Sequence, residues 1–201
     1  MQKQQRGSTQ LPRHELEWLP PSPTIRVAPA RQAQLADLAA IAKREIPGVN
    51  ASMIGLTQAD PESIFAFERN GRLQGGIAFL YLNCRGQDAL LLDEIDLQNP
   101  AREFLARPDE EVSAIYVWAL AFHGRAVTGL GNVAKYLRKP RFVHADYFAV
   151  PSTREGRDLL IALGFAQIQS FQAELWSYQR PWNRLHQMVP VSARSSADAW
   201  H

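Results

Sequence analysis

Residues 112–137 read VSAIYVWALAFHGRAVTGLGNVAKYL, and this stretch decides the fold. Its first part, residues 112–122, is rich in aromatic and β-branched residues and contains no glycine or proline, which predicts a central strand. The strand ends at His123 and Gly124, and the apolar stripe of residues 132–137 predicts a helix that Pro140 ends. The sequence therefore predicts a long strand that turns sharply into a helix.

The bend between this strand and this helix carries Gly129 and Gly131. The first turn of a helix leaves backbone N–H groups unpaired, and the helix dipole places partial positive charge there, so such a bend attracts phosphate. Glycines allow close approach, and Thr128 adds a hydroxyl group. An ordinary strand-to-helix turn would also explain the two glycines. If phosphate binds here, Gly129→Val should block it and leave the fold mostly intact.

Strand and helix patterns alternate on either side of the bend. Asn70 and Gly71 separate two strand-like segments, and this pair is the strongest short-range signal for a hairpin. Residues 88–97 form an apolar run bracketed by acids. The remaining predicted elements are strands at residues 24–28 and 142–150 and from Ala166 and Ala173, and helices at residues 35–46, 99–106 and 153–161, the last closed by Gly164. Interleaved strands and helices predict a mixed sheet with helices packed on it.

The length of 201 residues fits one domain with a sizeable core. Hydrophobic residues make up 46% of the chain and charged residues 21%, as in ordinary soluble globular proteins. The proline and glutamine content of residues 1–23 predicts an N-terminal arm, and the serine-rich residues 181–201 predict a C-terminal tail. We therefore expect one domain over residues 24–180.

The charge and cysteine content exclude several classes of protein. A net charge of +2 is too small to predict a nucleic-acid partner. Cys84 is the only cysteine, so an intramolecular disulfide is excluded and a thiolate metal site would lack partners. The sequence contains neither an apolar signal segment nor a run of about 20 apolar residues. We expect a cytoplasmic protein with no metal and no membrane partner.

Five basic residues lie in and after the bend: Arg125, Lys135, Arg138, Lys139 and Arg141. A solvated helix end would explain this cluster. A landing site for a multiply phosphorylated ligand, or for an acidic carrier protein, would explain it as well.

Residues 116–137, the strand and helix that follow, and the Leu163-Gly164-Phe165 end together resemble the Gcn5-related N-acetyltransferase (GNAT) superfamily. That family's pattern is a long strand, a pyrophosphate-binding turn written Gln/Arg-x-x-Gly-x-Gly/Ala, a helix, a second strand splayed from the first, and a helix ending in Gly-Phe. The resemblance covers residues 24–178. It implies an α/β (α+β) fold with a mixed, mostly antiparallel twisted sheet of about seven strands, helices on both faces and a splay between the two central strands.

The resemblance implies acetyl-CoA or another acyl-CoA as the donor, bound in the splay. Its pyrophosphate would lie on the amides of the bend, and its pantetheine arm would pair with the long strand as a false strand. The implied donor-binding residues are Leu120, Ala121, Phe122, Arg125, Ala126, Val127, Thr128, Gly129, Leu130, Gly131, Asn132 and Thr153. Two positions depart from the pattern. Ala126 stands where Gln or Arg is expected, and Leu160 stands where members often carry the tyrosine that protonates the leaving thiolate.

Acyl transfer to an amine requires a group that removes a proton from the ammonium. The candidates for this catalytic role are Asp146, His144 and Glu94. Alternation along the predicted strand places His144 and Asp146 on one face. Glu94 belongs to an acidic group that a solvated edge would also explain, and His123 beside the bend could face the phosphate or the thioester.

The predicted function is acyl transfer, in the first instance N-acetylation, to a small-molecule or peptide amine. Two alternatives stay open. One is a transferase that draws on acyl carrier protein, similar to autoinducer-synthase-like enzymes, which the basic cluster and Ala126 favour. The other is a non-catalytic acyl-CoA-binding module, which Leu160 favours. Assembly as a homodimer is also left open.

Overall fold

The computed structural model describes residues 24–49, residue 55 and residues 58–179. The predicted arm (residues 1–23) and tail (residues 181–201) lie outside the described residues. Within the described part of the chain, no helix is both long and apolar enough to span a bilayer.

Within the described ranges, seven strands form a single sheet in the order β1-β2-β3-β4-β5-β7-β6. All neighbouring strands are antiparallel except β4 and β5, which are parallel. The strands are β1 (Arg26–Pro29), β2 (Ile64–Arg69), β3 (Arg72–Leu82), β4 (Ala114–Phe122), β5 (Asp146–Ala149), β6 (Phe165–Gln167) and β7 (Trp176–Tyr178). The long strand predicted from residues 112–122 is thus β4, in the middle of the sheet.

Helices cover both faces of this sheet. They are α1 (Leu35–Glu45), α2 (Cys84–Leu91), α3 (Leu130–Tyr136) and α4 (Arg154–Leu163). Helices α1 and α2 pack on one face, where Leu38 and Leu90 join a core with Leu80 and Tyr116. Helix α3 packs on the other face through Val133. Helix α4 packs through Leu160, which lies against Ala149 of β5 and Trp176 of β7. The predicted fold class, with its mixed, mostly antiparallel sheet, is confirmed.

The hairpin predicted at Asn70 and Gly71 is confirmed. The two residues adopt φ values of +52° and +73° between β2 and β3, which is the left-handed region that a type I′ turn requires. The hairpin pairs β2 with β3. The other edge of β3 pairs with β4, so the hairpin forms the neighbour of the central strand on one side.

Two predicted elements differ in the structure. Residues 142–150 were expected to form one strand, but Pro140–Phe142 is a turn of 3-10 helix and β5 begins only at Asp146. The reason is that Phe142 is buried against Tyr81 in the core. The backbone at residue 142 therefore follows a helical turn, and the extended strand starts later. Helix α2 was not predicted, and the helix expected at residues 99–106 is a single 3-10 turn at Arg102–Phe104.

Candidate functional site

A cleft opens where β4 and β5 part. The two strands pair only from Ala114 opposite Asp146 to Val117 opposite Ala149. Beyond that point β4 runs on to Phe122, while the chain after β5 turns away toward α4. The gap has a volume of about 530 Å³. Its walls are Glu45, Ile46, residues 117–122, Val127, residues 149–153, Glu155, Gly156, Leu159 and Leu160. The splay expected between the two central strands is confirmed.

A β-bulge in β4 lies at the closed end of this cleft. Ala78 of β3 faces Ala119, but the next residue, Phe79, faces Val117, so Trp118 is the extra residue. Trp118 and Ala119 both contact the core on the α1 face, which breaks the alternation of the strand. The indole N–H of Trp118 donates to the carbonyl oxygen of Leu97 at 2.7 Å. The bulge therefore lies where pairing with β5 stops, and the loop after α2 holds it.

The edge of β4 that faces the cleft can accept an extended chain. The N–H of His123 donates to the carbonyl oxygen of Gln74, toward β3, at 2.8 Å. Because peptide groups alternate in direction along a strand, Leu120 and Phe122 direct their N–H and C=O groups the other way, into the cleft. Among the described residues, no strand pairs with β4 along this part of its edge. Of the predicted arm-binding residues, Leu120 and Phe122 thus have the suitable backbone direction.

The bend after β4 is more helical than predicted. A 3-10 segment runs over Gly124–Gly129 and continues directly into α3, so helical turns start at Gly124 instead of Asn132. Gly124 has a φ of +53°, which lets the chain reverse immediately after the strand. The N–H of Ala126 already bonds to the carbonyl oxygen of His123 at 3.2 Å. The amino end of the helical segment, where unpaired amides are expected, is therefore at Gly124 and Arg125.

The two glycines of the bend face different surroundings. A Cβ atom added at Gly129 would lie 3.0 Å from methyl groups of both Ile25 and Val27, whereas one added at Gly131 would meet nothing within 4 Å. Gly129 therefore permits close packing of the bend on β1. The side chain of Gly129→Val would therefore enter the core and not the cleft, so we now expect this substitution to destabilise the fold and not to block phosphate.

The opposite wall of the cleft is the start of α4. Thr153 caps this helix, and its hydroxyl oxygen accepts from the N–H of Gly156 at 3.0 Å. Leu160 lies about two turns beyond Thr153 and is buried. Thr153 and Leu160 both line the cleft, so the position at which the resemblance implies a proton-donating tyrosine carries an apolar side chain.

Three polar side chains meet at the end of the cleft nearest the bend. The Nη2 atom of Arg44, in the last turn of α1, contacts Nε2 of His123. The Nε atom of Arg44 lies 3.0 Å from Oε1 of Glu45, and the same oxygen lies 3.9 Å from Nδ1 of His123. The sequence reasoning missed Arg44 and Glu45, because nothing in the pattern of α1 indicates that its end reaches β4.

The predicted catalytic residues lie away from the walls of the cleft. Asp146 is paired with Ala114, three residues before the strands part, or about 10 Å along the strand. Its Oδ2 atom accepts from Nε2 of Gln87 at 3.0 Å. His144 is exposed and lies in a turn, so the prediction that it shares a strand face with Asp146 is wrong. Glu94 is exposed, in the loop that reaches Trp118 through Leu97.

The basic cluster does not form one surface. The Nη1 atom of Arg141 lies 2.6 Å from Oδ2 of Asp60, and the two side chains are only 16% and 6% exposed. The Nη2 atom of Arg141 also donates to the carbonyl oxygen of Arg107 at 2.8 Å. Arg141 is therefore largely buried and held by these partners, which removes it from the predicted landing site. Arg125, Lys135 and Arg138 are exposed.

Comparison with known proteins identifies similar folds. No family model matches the chain, and no curated protein matches it in sequence. A GCN5-related N-acetyltransferase from Anabaena variabilis is 12% identical with a TM-score of 0.44, over 72% of this chain and 32% of that one. The chain thus spans about a third of that protein's length.

This chain covers a larger share of two further solved structures. The GNAT-like decarboxylase GphF, in complex with isobutyryl-CoA, is 16% identical with a TM-score of 0.48, over 69% of this chain and 72% of that one. Naa50 from Arabidopsis thaliana, in complex with the bisubstrate analogue CoA-Ac-MVNAL, is 14% identical with a TM-score of 0.47, over 76% of this chain and 95% of that one. These likenesses concern the fold.

Proposed function

We propose that this chain, which has the fold of the GNAT superfamily, is an acyltransferase that binds an acyl-CoA between β4 and β5 and acylates an amine. One observation carries the proposal. The edge of β4 from Trp118 to Phe122 borders a cleft of about 530 Å³ where the neighbouring strand has turned away. A cleft of this size is typical of small-molecule and cofactor sites.

The proposed donor lies along this edge as an extra strand. Its pantetheine amides would bond to the peptide groups of Leu120 and Phe122, because these point into the cleft. Gly124 lies six positions after Trp118, which is about 20 Å of extended chain and comparable with an extended phosphopantetheine arm. The thioester would then lie near the bulge. The phosphates would lie near the start of the helical segment, and Thr153 would contact the arm from the opposite wall.

The proposed reaction is attack of a neutral amine on the thioester carbonyl carbon. A base first takes a proton from the ammonium group of the acceptor. The nitrogen then forms a bond to the carbonyl carbon, the carbon–sulfur bond breaks, the nitrogen releases its second proton to water, and the thiolate takes a proton. A backbone N–H near the bulge would stabilise the oxyanion, since bulges redirect peptide groups. With an apolar side chain at Leu160, we assign protonation of the thiolate to water. Among Asp146, His144 and Glu94, Glu94 is our first candidate for the base, because its loop bonds to Trp118.

Calorimetric titration with acetyl-CoA tests donor binding. We compare two matched variants, Val150→Trp in the cleft wall and Val143→Trp, whose side chain is 50% exposed in a turn outside the cleft. Val150→Trp should abolish binding because the indole fills the cleft, and Val143→Trp should bind like the original chain. Equal affinity of the two variants would remove the cleft from the proposal.

Release of free thiol from acetyl-CoA with a panel of small amines and peptides tests catalysis. If Glu94 is the base, Glu94→Gln should slow release at neutral pH, while Asp146→Asn should have a small effect. Donor binding without thiol release for every acceptor would favour the non-catalytic module.

Carrier-protein dependence is our second candidate. Ala126 is only 1% exposed, so the position that usually carries a phosphate-binding side chain is apolar and buried. Turnover with acyl carrier protein, in the absence of measurable acetyl-CoA binding, would support this alternative.

A further inference from the structure

The bend lacks a phosphate-binding side chain at position 126, and another element brings one to the same place. Helix α1 ends beside the cleft, where Glu45 and Ile46 form part of the wall together with Phe122 and Val127. Arg44, the preceding residue, extends to the imidazole of His123, the last residue before the helical bend. A guanidinium group from a distant part of the sequence thus lies at the end of the cleft where the helical segment begins.

The present partners of Arg44 hold it weakly. Its side chain is 61% exposed and that of Glu45 is 37% exposed. Exposed ion pairs contribute little to stability because water screens them and the side chains lose freedom in forming them. Phosphate oxygens offer a guanidinium group two parallel charge-assisted hydrogen bonds, which are stronger. Arg44 can therefore turn from Glu45 to a phosphate at small cost.

We propose that Arg44 binds the phosphate groups of the donor, replacing the Gln or Arg that the bend lacks at Ala126. This inference rests on the proposed function. His123 positions the guanidinium group through Nε2. The Glu45 carboxylate competes for Arg44 and repels phosphate, so the ion pair limits the affinity of the site. Arg44 and Glu45 should therefore have effects of opposite sign on donor binding.

Calorimetry with CoA on the full chain tests this pair. We expect Arg44→Gln to weaken CoA binding by about tenfold, in keeping with the loss of a charge-assisted hydrogen bond. Glu45→Gln should strengthen it by a few fold. Arg85→Gln is the matched control, because Arg85 is 72% exposed with a loose 3.9 Å ion pair to Glu103, at the opposite end of β3 from the bend. It should bind CoA like the original chain, and all three variants should keep its melting temperature.

The dependence on salt and on the ligand separates phosphate binding from a general effect. The affinity of the original chain for CoA should fall more steeply with added salt than that of Arg44→Gln. Displacement of bound acetyl-CoA by pantetheine, which has no phosphate, should require about a tenfold lower ratio of pantetheine to acetyl-CoA in Arg44→Gln than in the original chain, because only the binding of acetyl-CoA is weakened. Dephospho-CoA distinguishes the diphosphate from the 3′-phosphate: retention of the tenfold difference assigns Arg44 to the diphosphate.

The two hypotheses fail in different ways. If the original chain binds no CoA and is inactive with it, the proposed function fails. If it binds CoA and Arg44→Gln binds equally well, or if Arg44→Gln weakens pantetheine to the same degree, the assignment of Arg44 is overturned and the proposed function stands.

Discussion

In the bend, Gly129 contributes to packing of the core and does not line the cleft. A Cβ atom added to it would lie 3.0 Å from methyl groups of Ile25, just before β1, and of Val27 in β1. A glycine in a phosphate-binding pattern is usually interpreted through its amide. Here its missing side chain matters as well, because it lets the bend sit directly on β1.

Replacing the two glycines should have opposite effects on stability. Gly129→Val should lower the free energy of unfolding by roughly 1–3 kcal/mol, because overpacking displaces the neighbouring methyl groups. Gly131→Ala should raise it by roughly 0.5–1 kcal/mol, because Gly131 is exposed within α3 and alanine is the better helix former. Urea denaturation measures both changes. Equal effects would mean that Gly129 is not packed as described.

The buried Asp60–Arg141 pair should be costly to break. Asp60→Ala leaves the guanidinium group of Arg141 with little access to water, so we expect the free energy of unfolding to fall by about 3–5 kcal/mol. Glu62→Gln removes an exposed pair with Lys139 at 3.6 Å and should cost no more than about 1 kcal/mol. Urea denaturation at neutral pH compares them. A small effect of Asp60→Ala would show that water reaches Arg141.

At the scale of elements, the bulge in β4 depends on one hydrogen bond to a loop. Trp118→Phe removes the indole donor to Leu97 and should cost about 0.5–1.5 kcal/mol beyond the loss of packing. Trp176→Phe is a matched control, because the buried Nε1 of Trp176 has no hydrogen-bond partner among the described residues. Hydrogen exchange at residues 92–98 should rise in Trp118→Phe alone. Equal exchange in both variants would contradict this role.

The elements that could be predicted from sequence are those whose signals are local. The hairpin required two residues with positive φ, and Asn70-Gly71 supplies them. Helix α4 has a capping threonine and a terminal Gly164. Helix α2 was not predicted; it has only eight residues, and its first turn contains Gly86, a poor helix former. In the structure Gly86 allows the backbone of Phe104 to approach, and an added Cβ would clash with its carbonyl oxygen.

The candidate site was predictable only in part, because some of its residues have local sequence signals and others are brought there by long-range packing. β4, the bend and Thr153 are recognised by local pattern and do line or border the cleft. Arg44 and Glu45 reach the site because α1 ends beside β4, and that depends on how the sheet is assembled. His144 was misplaced because the burial of Phe142 shortens β5. No local pattern encodes these long-range contacts.

At the scale of the whole molecule, two buried tyrosines should make stability depend on pH in the alkaline range. Burial raises the pKa of Tyr116 to about 12. Burial, with the nearby Asp60 carboxylate, also raises the pKa of Tyr81 well above its usual value. The unfolded chain releases these protons near pH 10, while the folded chain keeps them. The contribution of these two tyrosines to stability should therefore be constant below about pH 10 and fall as the pH rises toward 12.

Urea denaturation at about pH 8 and at about pH 11 measures this loss. The Tyr116→Phe variant should lose less stability than the original chain over the same interval, because one of the two buried phenols is gone. The same loss in both proteins would show that Tyr116 ionises as readily in the folded chain as in the unfolded one.

The short pairing of β4 with β5 also has a mechanical consequence. Among the described residues, the register of β4 with β5 contains four residue pairs, and this short pairing links the four strands on one side of the sheet to the three on the other. A guest molecule that pairs with β4 and touches α4 would bridge this joint and stiffen it. Binding of a ligand in the gap should therefore reduce the motion of β5, β6 and β7 relative to the other four strands. A measurement of that motion would then follow the occupancy of the cleft.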